Sequence, residues 1–384
     1  MVITTNHTGK NLQELRTSNK KAIIRLLRKK ELSGKELSQS LQLSPGGIQS
    51  LIDEMVADGL LLKYNAENVV RGRRPINLKI NPNIGIVVIV SLYDCRGYEI
   101  DVCDFNGNIL SHFIQNTQGR ELTSLLVSDI ERIVADSGSI LYAIAISTIG
   151  KIQKNTGEFH YAPSMKEYAN VNFKKLLEQH FKVGVVIKNK LIYLLHAERK
   201  HDNALNFQNI LYLWGLGCAL CLEGRIFEGE NGFVGELGMQ CTDIYGALKE
   251  KEYFNPYRSN YFMGAVAGLS ASVKQEIGED LDMSQIFALY NDGDKRVYKP
   301  VEMFLQLYGL TLRNLVEFMD IKQIIIGGTM AELNDSALEL LAKFLNESVH
   351  DNLDGEIVRA KPECTIMNGA FEYAMDIAFN KLLG

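Results

Sequence analysis

The chain has 384 residues, of which 46% are hydrophobic and 23% are charged. This composition is typical of globular proteins and excludes collagen-like, coiled-coil and wholly disordered chains. At roughly 150 residues per domain, the length predicts two or three domains, each large enough to bury its own core.

The chain contains six cysteines, which are too few for a disulfide framework at this length. The N-terminal residues lack the apolar segment of a secretion signal, and the sequence contains no apolar run long enough to cross a membrane. We therefore expect a cytoplasmic protein with no membrane partner.

The charge is unevenly distributed, although the net charge is only -5. Residues 1–80 contain 14 Lys and Arg against 7 Asp and Glu, which leaves 27 of the 41 basic and 39 of the 46 acidic side chains for the remainder. The first segment thus carries a balance of +7 and the remainder -12. A polyanion would be attracted to the first segment and repelled by the rest.

Residues 17–80 predict three short helices followed by a β-ribbon. We expect the first helix to begin after residues 17–19 (Thr-Ser-Asn), because these are common capping residues. Ser33 and Glu36 have the spacing of a capping box at the start of the second helix.

The third helix has a start signal, an apolar face and a stop signal. Pro45 follows Ser44 at the first helical position, and Gly59 marks the end. Its apolar residues have the spacing of an inward helix face: Ile48, Leu51, Ile52, Met55 and Val56.

Helix, capped helix, tight turn and helix, followed by a ribbon, is the pattern of a winged helix-turn-helix. In such a module the N-terminal residues of the third helix face base edges in the major groove. The candidate DNA-contacting residues of this helix are Ser44, Gly46, Gly47, Gln49 and Ser50. Gln49 is the best candidate for a base contact, because a carboxamide pairs bidentately with adenine. The two glycines let backbone N–H groups approach a phosphate.

The strands of the wing are predicted at 60–64 and 76–80, on either side of a polar turn at 65–68. Three residues after this turn suit minor-groove or phosphate contacts: Arg71, Arg73 and Arg74. The alternative is a protein-interaction module with a solvated basic face. Because spacing, caps, wing and charge agree, double-stranded DNA is the favoured partner.

After Pro82 the pattern changes to a three-strand meander, with a tight turn at Asn106-Gly107, and then to alternating helices and strands. Further helices are predicted near 121–136, 170–181 and 191–200, and strands near 140–146, 183–187, 209–214, 217–222 and 323–326. Mostly helices follow residue 262. The fold class is therefore α/β, with two α/β lobes expected behind the winged head.

Three segments of the chain resemble the ROK family, which groups sugar-responsive repressors and sugar kinases. Residues 224–239 (GRIFEGENGFVGELGM) are similar to the family's sugar-contacting loop, and residues 161–177 and 71–82 resemble two other family segments. The resemblance covers nearly the whole chain, and the winged head is typical of the repressor branch. It implies a two-lobed actin/hexokinase-like (RNase H-like) body.

The resemblance also implies a division of the chain. We expect a DNA-binding domain at 1–82 and a first lobe at 83–200, joined by a C-terminal helix at 369–384. A second lobe at 201–368 would carry the dimer contacts, and the apolar stretch 297–318 is available for them unless it is core. A homodimer, or a tetramer of such dimers, on a palindromic operator is expected.

The residues that match the catalytic segments of the family's kinases have changed. The kinases' carboxylate base lies in a Glu-Asn-Asp-Ala-Asn segment, and Lys190 stands at that base position, within Lys-Asn-Lys-Leu-Ile. An ammonium cannot accept a hydroxyl proton at neutral pH. Residues 91–97 and 213–215 match the positions of the kinases' two phosphate-binding loops, but their sequences differ from those loops. Of the nucleotide-binding features, only Gly327-Gly328, near the family's adenosine site, is retained. We expect no kinase activity and no cofactor.

The family's zinc site, a His followed by a Cys-x-Cys-Gly-x-x-Gly-Cys run, is not matched either. Met239 stands at the His position, and the following region offers only Cys241. Cys218 and Cys221 have the spacing of a zinc knuckle, but positions i and i+3 of a strand face opposite sides. We expect two core cysteines and no bound metal.

Residue by residue, the resemblance implies an effector site with six candidates: Ser147, Asn189, Lys190, Asn231, Gly232 and Glu236. Short polar side chains suit the hydroxyls of a sugar. Lys190 leaves two alternatives open. It is either the counter-charge for an acidic or phosphorylated sugar, or it pairs with Glu236 in an empty site.

Three function classes follow from these observations. The favoured one is a DNA-binding regulator, expected to be a repressor of sugar-metabolism genes, with a non-catalytic sugar-sensing body. The second is a sugar kinase with a DNA-binding head. The third is a DNA-binding dimer that has no effector.

Overall fold

The N-terminal head contains three helices and a small antiparallel sheet. The helices are α1 (Leu12–Leu27), α2 (Gly34–Leu41) and α3 (Pro45–Ala57), and the strands are β1 (Leu32–Ser33), β2 (Leu61–Asn65) and β3 (Ile76–Ile80). The sheet order is β1-β3-β2. The computed structural model describes residues 12–65, 76–94, 96–161, 165, 168, 171–200, 207–241, 262–346 and 355–384.

The capping signals of the sequence are confirmed in the head. The Ser33 hydroxyl accepts a hydrogen bond from the Glu36 N–H, and the Glu36 carboxylate accepts one from the Ser33 N–H. Ser44 caps α3 by accepting from the Gly47 N–H. After α3, Gly59 adopts a positive φ of 72°, which glycine tolerates at little cost and which turns the chain towards β2.

The predicted start of the first helix is wrong. The helix begins at Leu12, so the Thr-Ser-Asn sequence at 17–19 lies inside it. Arg16 and Lys20 both form ion pairs with Glu54 of α3, and these pairs hold the first turns of α1 against the head. A tertiary contact therefore outweighs the local preference of Thr, Ser and Asn for a cap.

The chain divides into two compact units. Unit 1 contains 1–149, 163–187 and 370–384, and unit 2 contains 150–162 and 188–369. The division expected from the family resemblance, with boundaries after 82, 200 and 368, stays a prediction.

Beyond the head, unit 1 is built on a five-stranded sheet in the order β10-β7-β4-β5-β6. Its strands are β4 (Ile86–Asp94), β5 (Gly97–Cys103), β6 (Ile109–Asn116), β7 (Leu141–Thr148) and β10 (Gly184–Asn189), whose last two residues are counted with unit 2. Strands β4, β5 and β6 form the expected antiparallel meander, and β4 pairs with β7 in parallel. The predicted turn is confirmed at Gly107, which has a φ of 87°.

Helices α4 (Leu122–Ser137) and α5 (Phe173–Phe181) belong to unit 1, as does most of the C-terminal helix α11 (Ile366–Leu383). The Tyr98 hydroxyl of β5 donates to Asp129 of α4 over 2.8 Å. The ring of Phe105 makes edge contacts with Tyr142 of β7 and Phe379 of α11, at centroid distances of 5.3 and 5.5 Å. These contacts fix α4 and α11 on the sheet.

Unit 2 has its own five-stranded sheet in the order β13-β12-β11-β14-β15. The strands are β11 (Ile210–Trp214), β12 (Gly217–Leu222), β13 (Arg225–Phe227), β14 (Gln323–Gly327) and β15 (Glu356–Arg359). The described helices are α6 (Lys190–Lys200), α7 (Phe262–Ile277), α8 (Met283–Asn291), α9 (Lys295–Met319) and α10 (Asp335–Asn346). A short two-stranded sheet of β8 (Lys151–Ile152) and β9 (Phe159–Tyr161) also belongs to unit 2.

Alternate residues of the second sheet belong to different cores. Leu211, Leu213 and Cys218 pack into one hydrophobic cluster, whereas Tyr212 and Cys221 pack into another. This alternation is the two-residue period of a strand that is buried on both faces. The long helix α9 contributes Val297, Val301, Phe304, Leu305, Tyr308, Leu312 and Val316 to the first cluster.

No described helix is both long and apolar enough to span a membrane. Most strands and helices predicted after Pro82 are confirmed to within a few residues. The four shortest strands of the described body were not predicted: β8, β9, β13 and β15. Their two to four residues are too few for a hydrophobic period to be read.

Candidate functional site

The N-terminal part of α3 presents all five predicted DNA-contacting residues to solvent. Ser44, Gly46, Gly47, Gln49 and Ser50 are exposed. The apolar residues of the same helix that are buried in the head are Ile48, Leu51, Ile52 and Met55. The helix therefore has one packed face and one accessible face, as a recognition helix requires.

Asp53, which the sequence analysis missed, orients the Gln49 side chain. The carboxamide nitrogen of Gln49 donates to Asp53 Oδ1 over 2.9 Å, and the Lys63 ammonium of β2 donates to the same oxygen over 2.6 Å. The hydrogen bonds from Lys63 and then from Gln49 lower the pKa of Asp53. One amide hydrogen and the carbonyl oxygen of Gln49 remain for a base edge.

The two glycines of α3 differ in their surroundings. A Cβ at Gly46 would meet no atom within 4 Å, whereas one at Gly47 would lie 3.1 Å from the Ser44 hydroxyl. A side chain at Gly46 would therefore project into open space. Arg71, Arg73 and Arg74 lie outside the described residues, so their contribution stays a prediction.

A small cleft lies within unit 2, with room of about 20 Å³ inside and about 380 Å³ when the open solvent at its mouth is counted. Three of the six predicted effector residues line it: Asn189, Gly232 and Glu236. The lining also includes Lys151, Glu228 and Phe233, which were not predicted. Mixed aromatic and polar linings of this kind are typical of small-molecule sites.

Asn189 is fixed by the protein backbone. Its side-chain nitrogen donates to the Gly150 carbonyl over 2.9 Å, and its side-chain oxygen accepts from the Leu191 N–H over 3.0 Å. The second bond caps the start of α6. Asn189 therefore couples the wall of the cleft to the first turn of this helix.

The loop of residues 228–236 forms the other side of the cleft. Gly232 has a φ of 85°, and a Cβ there would lie 2.6 Å from the Ile152 carbonyl, so only glycine fits. The Asn231 carbonyl accepts from the Lys154 N–H over 3.0 Å, but Asn231 itself is exposed and does not line the cleft. Glu236 is exposed, and its carboxylate does not cap the 3₁₀ turn that follows.

Charged and aromatic side chains that the sequence analysis missed surround the mouth of the cleft. Lys188 and Glu228 form an ion pair of 2.6 Å, with each side chain only 15% exposed. The ring of His160 stacks on Phe233 with a centroid distance of 5.1 Å, and the Lys151 ammonium lies 5.9 Å from the Phe233 centroid. Phe233 lies within the resembling segment 224–239. Its aromatic ring was the sequence signal that could have identified these residues.

Lys190 does not pair with Glu236. Its ammonium lies over the indole of Trp214, 4.6 Å from the ring centroid, and it is not among the residues that line the cleft. Burial lowers the pKa of Lys190 below its usual value. A cation over an aromatic face is stabilised without an acidic partner. The predicted role as a counter-charge for an anionic ligand stays a prediction.

Trp214 in turn covers the Gly327-Gly328 turn. Trp214 is paired with Gly327 in the parallel register of β11 and β14. A Cβ on Gly328, which has a φ of 61°, would lie 2.6 Å from the indole. The neighbouring Gly215 carbonyl accepts a hydrogen bond from the Tyr308 hydroxyl over 2.7 Å. The indole is therefore held over the backbone that the family resemblance associates with adenosine.

The remaining predicted residue, Ser147, is in unit 1. It is buried in β7 and lies opposite Ser91 of β4 in the parallel register. The structure thus groups Asn189, Gly232 and Glu236 around one cleft. Lys190 and Asn231 are next in sequence to two of these residues but do not line it.

Cys218 and Cys221 are confirmed as core residues. Both are buried, they belong to different clusters, and burial raises the pKa of both thiols. No group of three or more potential metal ligands occurs among the described residues. Residues 242–261 lie outside them, so the absence of zinc stays a prediction.

Comparison with known proteins identifies the family of the chain. The ROK family model matches residues 97–370. The xylose repressor of Caldicellulosiruptor bescii is 22% identical over 92% of this chain and 94% of its own length.

Two solved structures show the fold. A ROK family transcriptional regulator, described as a homolog of the E. coli MLC protein, superposes with a TM-score of 0.77 and 18% identity over 97% of both chains. A ROK hexokinase from Thermus thermophilus gives a TM-score of 0.60 and 21% identity over 74% of this chain and 97% of its own. The expected fold class is confirmed, and the chain belongs to the ROK family.

Proposed function

We propose that this protein is a DNA-binding transcriptional repressor whose ROK body binds a sugar and does not phosphorylate it. The observation that carries the proposal is the combination of an accessible recognition helix with a body in which Trp214 covers Gly327-Gly328. Similarity over almost the full length to a xylose repressor and to a ROK transcriptional regulator supports the same function.

The head supports DNA as the partner. Its exposed α3 face, its capped helices and its β2–β3 hairpin are the parts of a winged helix-turn-helix, and residues 1–80 carry the basic excess of +7. Gln49 is proposed to read a base, and Gly46 and Gly47 to approach a phosphate. The three arginines at 71, 73 and 74 are proposed to contact the backbone or the minor groove. A regulator of this kind acts where the DNA lies, so we place it in the cytoplasm.

Kinase activity is disfavoured by two features of unit 2. Lys190 offers an ammonium where catalysis needs a carboxylate base, and Trp214 lies where an adenosine would have to approach Gly328. ROK kinases share the fold, so the fold alone does not separate the two functions. Lys190 and Trp214, and not the fold, favour the repressor over the kinase.

The cleft supports a neutral sugar as the effector. Of the charged residues that line it, Glu228 and Glu236 are acidic and Lys151 is basic. Lys188 neutralises Glu228, and Lys190 is directed to Trp214. The lining therefore offers no excess of positive charge for an anionic sugar. Its amide and carboxylate groups suit the hydroxyls of a neutral sugar, and its aromatic rings suit the sugar's apolar face.

A homodimer is proposed because one winged head reads only a few base pairs. Helix α9 carries, besides its core residues, a separate exposed stripe formed by Met303, Leu310 and Phe318, which are 61%, 45% and 86% exposed. Apolar side chains spaced seven and eight residues apart lie on one helix face. This stripe is the proposed dimer contact in the second lobe.

The proposed function is tested by mobility shift with the full chain. DNA fragments are first selected from a random library by the wild-type protein, and their affinity is then measured with and without neutral and anionic sugars. A sugar-dependent affinity supports the repressor, and DNA binding that no sugar changes supports the scaffold alternative. ATP turnover with any hexose would support the kinase. Replacing Arg73 and Arg74 by alanine should weaken binding to every sequence and lower the salt slope by about one unit per lost phosphate contact.

A further inference from the structure

The first helix of the head is attached to the C-terminal helix through a buried arginine. Arg28, the residue that follows α1, donates from Nη1 to Asp376 over 2.6 Å and from Nη2 to the Glu372 carbonyl over 2.9 Å. It also forms an ion pair with the Glu372 carboxylate. Only 8% of the Arg28 side chain is exposed. A guanidinium buried to this extent is held by its partners, because separating them would leave an uncompensated charge.

The same helix of the head holds the recognition helix. Arg16 and Lys20, on α1, form ion pairs with Glu54 of α3 at 2.6 and 2.5 Å. Ile23 and Leu27 of α1 are buried in the head. The orientation of α3 is therefore fixed to α1, and that of α1 to α11.

The first turn of α11 lies against the helix that begins at the cleft. Gly369, in the first turn of α11, is so close to α6 that a Cβ would overlap the backbone of Tyr193. Helix α6 starts at Lys190, and its cap is Asn189, which lines the cleft. The Arg28 partners Glu372 and Asp376 follow Gly369 along the same helix, within about two turns of it.

We propose that α11 transmits the occupancy of the cleft to the recognition helix, with Arg28, Glu372 and Asp376 as its attachment to the head. This inference rests on the proposed function, since it requires a ligand in the cleft and DNA on α3. A ligand that contacts Asn189 and shifts α6 would shift Gly369 and, through the turns that follow it, Glu372 and Asp376. Transmission of this kind is a coupling between two sites, which only a measurement of coupling establishes.

The test compares Arg28→Met with Arg25→Met in the full chain. Arg25 lies in the last turn of α1, three residues before Arg28; it is exposed and makes no ion pair with another described residue. Both variants remove one positive charge from the head, so their non-specific losses of DNA affinity should match. Glu372→Gln weakens the attachment from the other side without changing the charge of the head.

Two measurements are made on each variant. The first is amide hydrogen exchange without DNA or ligand. In Arg28→Met and Glu372→Gln, the amides of α1 and of residues 372–383 should exchange faster than in the wild type, whereas in Arg25→Met their exchange should not change. With the DNA selected by the wild type, D-xylose, D-glucose and N-acetylglucosamine are then added in turn. Consider a sugar that changes the DNA affinity of the wild type at least fivefold. We expect it to change the DNA affinity of Arg28→Met and Glu372→Gln less than twofold, and that of Arg25→Met as much as that of the wild type.

The outcomes separate the two proposals. An unchanged exchange pattern, or a sugar response equal in all variants, overturns the attachment while leaving the repressor function intact. A wild-type chain that binds DNA but responds to none of the three sugars counts against transmission. A wild-type chain that binds no DNA overturns the proposed function, and the exchange data then decide whether Arg28 holds α1 to α11.

Discussion

The Lys190 ammonium lies 4.6 Å from the centroid of the Trp214 ring, and Trp214 in turn lies against Gly328. The two residues form one packed stack at positions where the family resemblance implies a base and a phosphate loop in the kinases. Because each supports the other, changing one of them alone would not restore an active site. This relationship leads to the first two predictions.

Lys190→Asp should not phosphorylate sugars. The substitution supplies a carboxylate at the base position, but the indole of Trp214 still covers Gly327-Gly328, so no nucleotide can approach. A coupled ATP-consumption assay with a hexose panel should give the same background for wild type, Lys190→Asp and Lys190→Ala. Sugar-dependent turnover in Lys190→Asp would show that the turn is accessible after all.

Lys190 should destabilise the fold at neutral pH in a way that alkali relieves. Burial lowers its pKa below the usual 10.5, so the protonated form is less favourable in the folded than in the unfolded chain. The full cost applies below the folded pKa, decreases as pH rises through it, and disappears above the unfolded value.

Urea unfolding between neutral pH and pH about 10.5 measures this effect. The free energy of unfolding of the wild type should rise with pH relative to that of Lys190→Met. The matched control is Lys175→Met, because Lys175 is exposed on α5. If the free energies of unfolding of wild type and Lys190→Met differ by the same amount across the alkaline range, the prediction is contradicted.

Gln49→Ala should reduce the discrimination between DNA sequences by about 1–3 kcal/mol, the range of one bidentate base contact. Asp53→Asn should produce a smaller change in the same direction, because the Asp53 carboxylate orients the Gln49 amide. Both are measured as ratios of affinity for the selected DNA and for single-base variants of it. Equal losses on every sequence would mean that Gln49 contacts only the backbone.

Gly46→Ala should stabilise α3 and weaken DNA binding. A methyl group there meets no protein atom within 4 Å, and alanine favours a helix over glycine by about 0.5–1 kcal/mol. The methyl group would, however, block the approach of a phosphate to the backbone. Thermal unfolding and DNA affinity are compared with those of Gly47→Ala, whose new Cβ would lie 3.1 Å from the Ser44 hydroxyl. Wild-type affinity in Gly46→Ala would place the DNA elsewhere.

Phe318→Lys should weaken the proposed dimer at least tenfold, because it places a charge in the stripe on α9. The control is Ile114→Lys on β6, since Ile114 is 74% exposed and Phe318 86%. Sedimentation equilibrium measures the dissociation constants. If both variants associate like the wild type, the copies meet through another surface.

Local signals in the sequence predicted much of the head. The capping box at Ser33 and the Ser44-Pro45 start of α3 were both confirmed, because their partners lie within three residues. The start of α1 was not predictable, since the Glu54 that holds Arg16 is 38 residues away. Alternation of buried residues likewise predicted that Cys218 and Cys221 face different cores.

The contacts that define the candidate site could not be read from the sequence. The resemblance pointed to Asn189, Gly232 and Glu236, and these share a cleft. It gave no indication that Lys190 would lie on Trp214, or that Arg28 would bind Glu372, which is 344 residues further along the chain. Such pairs depend on the packing of whole elements, and a single sequence contains no local pattern for them.

Trp214 is the single tryptophan of the chain and is about one-third exposed. Its indole is in contact with a cation on one side and a glycine turn on the other, beside the strand that leads to the cleft. The tryptophan fluorescence of the unlabelled protein therefore originates from this one stack. A shift of α6 that moved Lys190 would change the emission directly, which gives ligand screening an optical signal that requires neither DNA nor a fluorophore.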